Sequence, residues 1–346
     1  MRKFMPLLAA LVALLMAAGC GASGNPESGE SGLPTVKVST YGANLPDVAL
    51  LVAQQEGFFK EHGVNVQTIS FQAVPAATAA LKAGDLDLVG STGLNQAVAN
   101  HSTSSESQKL VDVVAYFPTG VWQLFAGKDW KISGTDLKTR LRSLKGAKIG
   151  VPALGSEGHL VAAALLRWAG LDPDKDVSFI ATGLGPEAVA SFKTGQIDAV
   201  VHAPPYTQPL LDLGATLVYD MTSDTQVSFL NPWLIGTYLA TAKGAQESKD
   251  KLAKFQAGLS EAIDYIHNPA NTAHVAEIWA KDNQAVPLDV LKKTIEANRD
   301  NFSPNIECSA LTNVQKFAVN AGLIEKSSQQ TCDQMVWSGA AQFKKN

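Results

Sequence analysis

Leu81–Gly90 reads LKAGDLDLVG and Phe192–Val201 reads FKTGQIDAVV. The spacing between Lys82 and Lys193 also pairs Pro75 with Pro186, Ala77 with Ala188, Gly84 with Gly195, Asp87 with Asp198 and Val89 with Val200. Further upstream it sets Lys37-Val38 against Lys148-Ile149, and VQTISF from Val66 against VSFIAT from Val177. In each copy a helical run ends at a glycine suited to a left-handed C-cap, and a short apolar strand follows. An ungapped match over about fifty residues, with strands and helices in the same order, indicates two copies of one α/β unit. The alternative is that any strand–helix–strand unit shares this outline.

Working outward, strands and helices alternate, as a mostly parallel sheet with crossovers requires. Val36–Thr40 is the first strand. A helix over LPDVALLVAQQEGFFKEHG follows, with Pro46 in its first turn and Gly63 at its end. VWQLFAG, from Val121, reads as a linking strand. The second copy begins near Lys145. Beyond about residue 245 the pattern turns helical: Leu252, Phe255, Leu259, Ile263 and Ile266 recur at helical spacing, and three more helical segments follow. Such a tail is expected to pack back on the first unit, making that unit discontinuous.

The chain has 346 residues, enough for two domains, with 46% hydrophobic residues and a formal net charge of −4. The acidic balance and the lack of a basic run argue against nucleic acid as a partner. Residues 1–19 read as a signal peptide: Arg2 and Lys3, then an apolar Phe4–Ala18, too short to span a bilayer comfortably. Ala17-Ala18-Gly19-Cys20 resembles the lipobox of bacterial lipoproteins, in which Cys20 would be acylated. The departure is Ala17, where leucine is usual, and an ordinary signal with an incidental cysteine is the other reading. Residues 20–33 are Gly/Ser-rich and read as a tether; its thirteen residues from Gly21 span roughly 20 Å on average. Outside the cytoplasm Cys308 and Cys332 either pair as a disulfide or stand as separate buried thiols.

Familiar catalytic motifs are missing from the sequence. Gly183-Leu184-Gly185-Pro186-Glu187-Ala188 matches a dinucleotide pattern, but Asp198 precedes its strand and is misplaced for a ribose. The six histidines show no metal-ligand spacing, and neither metal nor cofactor is expected. In open α/β sheets ligands sit where strands end and helices begin. Here those places hold Tyr41, Gly42 and Asn44; Ser91 and Thr92; Ser156 and His159; His202 and Tyr206. Each hydroxyl can equally be a helix N-cap, and each histidine a packed one. Trp122 and Trp233 are candidate lining aromatics, and equally candidates for core.

The passages VAQQEGFFKEHGVNV, ALKAGDLDLVGST, LKGAKIGVPALGSEGHLVAAALLRWAGLDPDKDVSFI and VASFKTGQIDAVVHAPP resemble the nitrate/sulfonate/taurine-type substrate-binding proteins of ABC importers, a group that includes thiamine-precursor binders. The resemblance spans roughly residues 35 to 300. It implies a type II periplasmic-binding-protein fold, two α/β lobes joined by a two-strand hinge. Lobe 1 would comprise 34–120 and 225–346, with the C-terminal helices, and lobe 2 residues 121–224. It further implies a monomeric, non-enzymatic solute receptor, in the periplasm or at the outer face of the cytoplasmic membrane, that closes on a small molecule and serves an ABC permease. The loop residues named above are its implied contacts. Glu157 departs from the expectation, since a carboxylate in a helix turn suited to an anion competes with one. The four arginines beyond the signal (Arg140, Arg142, Arg167, Arg299) lie outside these loops, which argues against an arginine clamp. An amino-sulfonate or an aromatic or heterocyclic molecule is therefore the expected ligand. The alternatives are an enzyme on this fold, similar to pyrimidine-precursor synthases or chorismate dehydratase, and a binding module that feeds a sensor.

Overall fold

The structure is a computed structural model that describes residues 32–41, 44–71 and 74–346. The signal segment, Cys20 and Gly42 fall outside the described residues.

The first sheet begins with β1 (Thr35–Thr40) and β2 (Asn65–Ser70), paired in parallel. A Val38–Leu88 bridge joins β1 to β3 (Val89–Ser91). Then come β4 (Leu110–Phe117) and, in the second sheet, β5 (Gln123–Ala126), β6 (Lys148–Val151), β7 (Ser178–Ala181), β8 (Ala199–His202) and β9 (Thr216–Asp220). The chain returns to the first sheet as β10 (Gly236–Thr241), antiparallel to both β3 and β4. The resulting orders are β2-β1-β3-β10-β4 and β7-β6-β8-β5-β9. Position by position they correspond.

The repeated phrase has the same physical job in both sheets. Gly84 and Gly195 take positive φ (89° and 72°), where an L side chain would be strained. The next amides, of Asp85 and Gln196, fold back onto the carbonyls of Ala80 and Ser191. Asp87 then accepts from the Lys37 amide at 2.8 Å, and Asp198 accepts from the Lys148 amide at 2.8 Å. Each carboxylate thus ties the start of its third strand to the start of its first.

Two expectations need correction. Gln123–Ala126 is not a bare connector: β5 lies inside the second sheet, antiparallel to β8 and β9. The sheets are therefore mixed, because each takes its antiparallel strand from a crossing segment. The helix expected to run unbroken to Gly63 is split. Val48–Glu56 ends at Gly57 (φ 86°), and Phe58–Glu61 makes a separate turn.

The split lets Phe59 stack on Phe255, with ring centroids 5.0 Å apart. Phe255 belongs to the helix Lys249–His267, which buries Leu252, Phe255, Leu259, Ile263 and Ile266. That helix packs on both helical pieces and on β4. The helices Thr272–Ala280, Leu288–Asn298 and Cys308–Asn320 follow, the last against Gly93–His101. Cys308 and Cys332 form a disulfide with Cα atoms 5.4 Å apart. Among the described residues no helix is long and apolar enough to cross a membrane.

Candidate functional site

The C-terminal ends of β1 and β3 build a tyrosine-rich nook. The Ser39 hydroxyl accepts from the Gly90 amide at 3.1 Å and lies 3.2 Å from the Tyr41 hydroxyl. Tyr116 of β4 and Tyr238 of β10 pack ring to ring at 4.5 Å. A side chain at position 90 would meet both, the Tyr116 hydroxyl at 3.3 Å. Gly90 is thus where the strand needs to be bare. Asp47 lies close by, its carboxyl pushed up to about 7 by burial despite a hydrogen bond from the Asn44 amide. Burial pushes the Tyr41 phenol up to about 12. Asn44 precedes the short Leu45–Asp47 turn without a side-chain cap. Ser91 is buried, and its hydroxyl has no partner.

Thr92 caps the helix Gly93–His101, accepting from the Asn95 amide at 3.1 Å. Its hydroxyl also stands near the Glu157 carboxyl, so the two matched units meet here. Glu157 is the first residue of the helix Glu157–Trp168 and is only 7% exposed. The indole N–H groups of Trp122 (3.0 Å) and Trp233 (3.1 Å) both donate to its Oε1. Trp122 precedes β5 and Trp233 precedes β10, so one carboxylate ties together both crossing segments. Gly158 admits this arrangement: a Cβ there would sit 3.1 Å from the Trp122 ring. Burial raises the Glu157 carboxyl, and the hydroxyl and the two indoles oppose that shift. Oε2 has no hydrogen-bond partner.

On the second sheet, His202 ends β8 at the position that Ser91 holds in β3. It is buried; its Nδ1 lies 2.9 Å from the Ala203 amide and its Nε2 is unpartnered. Burial lowers its basicity. The Tyr206 ring lies 5.5 Å away. Ser156 acts as the N-cap of Glu157–Trp168, accepting from the His159 amide. His159 turns elsewhere: Nδ1 accepts from the Gly155 amide and the ring meets Phe179 edge-on at 4.4 Å. Two residues along a helix is about 200°, so the Glu157 and His159 side chains leave on opposite faces.

Of the residues singled out in the sequence, Thr92, Trp122 and Trp233 converge on Glu157, and Tyr41 and Ser91 share the nook. His202 and Tyr206 form a second group, while His159 joins neither. Asp47, Tyr116 and Tyr238 belong to the nook and were not singled out. The two tyrosines, Tyr116 and Tyr238, sit on strands paired from far apart in the chain, which no local pattern exposes.

Four buried polar atoms without partners stand on these elements: Ser91 Oγ at the end of β3, Tyr238 OH within β10 opposite Gly90, Glu157 Oε2 at the start of its helix and His202 Nε2 at the end of β8. Buried polar groups are nearly always satisfied, and although such atoms also occur elsewhere, at Gln108, Ser260 and Gln330 among others, these four are the ones on residues beside the loops where an open α/β sheet receives a ligand. No group of side chains suited to a metal ion occurs among the described residues.

A profile of the NMT1-like family matches residues 31–280. Similar solved structures include the periplasmic aliphatic sulphonate binding protein SsuA from Escherichia coli, 19% identical with a TM-score of 0.65, covering 88% of this chain and 98% of that one. The periplasmic nitrate-binding protein NrtA from Synechocystis PCC 6803 is 14% identical with a TM-score of 0.67, covering 90% and 86%. The desulfurization enzyme DSZB is 16% identical with a TM-score of 0.63, covering 89% and 98%. No curated protein matches the sequence.

Proposed function

The chain belongs to the NMT1-like family, and from that premise we propose that it is the extracytoplasmic solute receptor of an ABC importer. Lobe 1 is assigned residues 34–120 and 225–346, and lobe 2 residues 121–224. The carrying observation is the set of unpartnered buried polar atoms at the ends of β3 and β8, on Tyr238 opposite Gly90 and on Glu157. They lie at the loops where an open α/β sheet receives a ligand. The chain passes between the sheets before β5 and before β10, and two such crossings suit hinge closure. Closure follows from tighter binding to the closed form. The ligand then passes to a membrane permease. Acylated Cys20 would hold the monomer at the outer face of the membrane on its short tether, and intact-mass measurement of the membrane form checks that anchor.

The ligand class is a small organic molecule, an amino-sulfonate such as taurine or an aromatic or heterocyclic compound. Similarity to sulphonate- and nitrate-binding proteins supports the receptor role. A second reading, an enzyme, is favoured by the similarity to DSZB. A thermal-shift screen with taurine, alkanesulfonates, nitrate, aromatic carboxylates and thiamine precursors tests the first. A ligand at 100 times its dissociation constant adds ~2.7 kcal/mol, and the ligand is recovered unchanged. Consumption of the ligand would establish the enzyme instead.

A further inference from the structure

We infer that Glu157 selects the ligand: the cleft takes a small molecule presenting an N–H donor, on an amine or an amino-heterocycle, to Glu157 Oε2, and it disfavours a simple anion at that point. The inference deepens the receptor reading above and rests on it.

A helix N-terminus with free amides favours negative charge. In Glu157–Trp168 that demand is already met from within the protein, because the carboxylate occupies the first turn itself. An incoming anion would meet, when this carboxyl is ionised, a like charge in a dry environment. The four arginines beyond the signal are engaged elsewhere. Arg140 bonds the Leu217 carbonyl, Arg142 the Ala169 carbonyl, Arg167 lies 3.6 Å from Asp174, and Arg299 bonds Thr272. Asp47 adds a second carboxyl on the side of β1.

The two indoles fix which oxygen is available. Both donate to Oε1, and Oε2 has no hydrogen-bond partner, although the Thr92 hydroxyl stands near the carboxyl. A ligand N–H supplies that donor. The Ser91 and Tyr238 hydroxyls, also unpartnered, can each give or accept a hydrogen bond. They fix orientation without setting charge.

The same indoles make Glu157→Gln a directed test. Their N–H groups require an oxygen, so the amide oxygen takes the place of Oε1. The amide NH2 then stands where Oε2 stood. An acceptor becomes a donor with almost no change of shape.

The experiment is calorimetric titration of the purified full chain, wild type and Glu157→Gln, with matched probes. Taurine is paired with ethanesulfonate and 4-aminopyrimidine with pyrimidine, and nitrate is added alone. The wild type is expected to take the amino-bearing member of a pair in preference to its partner. Glu157→Gln is expected to weaken that probe by at least about tenfold, the size of a lost hydrogen bond to a charged group, and to strengthen ethanesulfonate or nitrate. Binding of only ethanesulfonate, pyrimidine or nitrate by the wild type overturns the inference and leaves the receptor reading intact. So does an amine whose affinity is unchanged by Glu157→Gln. Silence from every probe in both proteins overturns the inference and the receptor reading together.

Discussion

Asp87 and Asp198 make the same bond to the first strand of their units, yet their surroundings differ. Asp87 also holds Lys251 at 2.7 Å, with both side chains less than a quarter exposed, whereas Asp198 bonds the amide of an exposed lysine. Asp87→Ala is therefore expected to cost more stability, about 2–3 kcal/mol against about 1 kcal/mol for Asp198→Ala, as read by urea unfolding. Equal losses would contradict the assignment. The role of the pair was legible in sequence because it recurs; the Lys251 partner was not, being 164 residues away. Asp112 has a different logic. It is fully buried, accepts from the Thr237 hydroxyl at 2.6 Å, and burial pushes its carboxyl up to about 7. Its Oδ2 and the neighbouring Gln96 Oε1 are both acceptors without a donor, and a proton on Oδ2 serves both. With a folded pKa above the unfolded one, stability is full below about pH 4, falls as pH rises toward 7, and is level beyond. Asp112→Asn removes that slope. It is expected to be near neutral at pH 4 and stabilising at pH 8, by up to roughly 4 kcal/mol at ~1.4 kcal/mol for each tenfold change in acidity. Unfolding curves at the two pH values check it, and an effect independent of pH would contradict it.

At the scale of elements, the helical pattern over residues 46–63 was read correctly as helical and wrongly as continuous. Gly57 carries little signal by itself, because a glycine within a helical run is tolerated. What breaks the run is tertiary: Phe58 and Phe59 must approach the helix Lys249–His267 at Gly258. A Cβ at position 258 would lie 2.8 Å from the Phe59 ring and 3.1 Å from its backbone. Gly258→Ala is therefore expected to destabilise by about 1–3 kcal/mol through overpacking. A gain in thermal stability from better helix propensity would contradict this packing. The partners of β5 were not legible for a related reason. Its four residues read as strand, but a strand's partners depend on non-local pairing that a single sequence does not display.

For the whole molecule, the doubled phrase carried the architecture. Two matched units with strands and helices in the same sequence follow from it directly; that each sheet sets its strands in the order second, first, third is what the structure adds. What it omits is the exchange of antiparallel strands, β5 and β10, since neither belongs to the repeat. The candidate site was legible at the level of loops, because strand ends are where α/β sheets bind. It was less so at the level of atoms. Glu157 stood out as a misfit for an anion, but its clamp of two tryptophans comes from the crossing segments. The tail is fastened by Cys308–Cys332, which are 24 residues apart; reduction is expected to cost about 3 kcal/mol on loop-closure grounds, seen as a lower melting temperature under reductant. The central claim is that this chain holds a small molecule and releases it unaltered. Isothermal titration of the purified chain with the compound giving the largest thermal shift tests it most directly. The account predicts heats that saturate at one ligand per chain and return to baseline after each injection. Heat that continues at a steady rate after injection, as turnover produces, would contradict it.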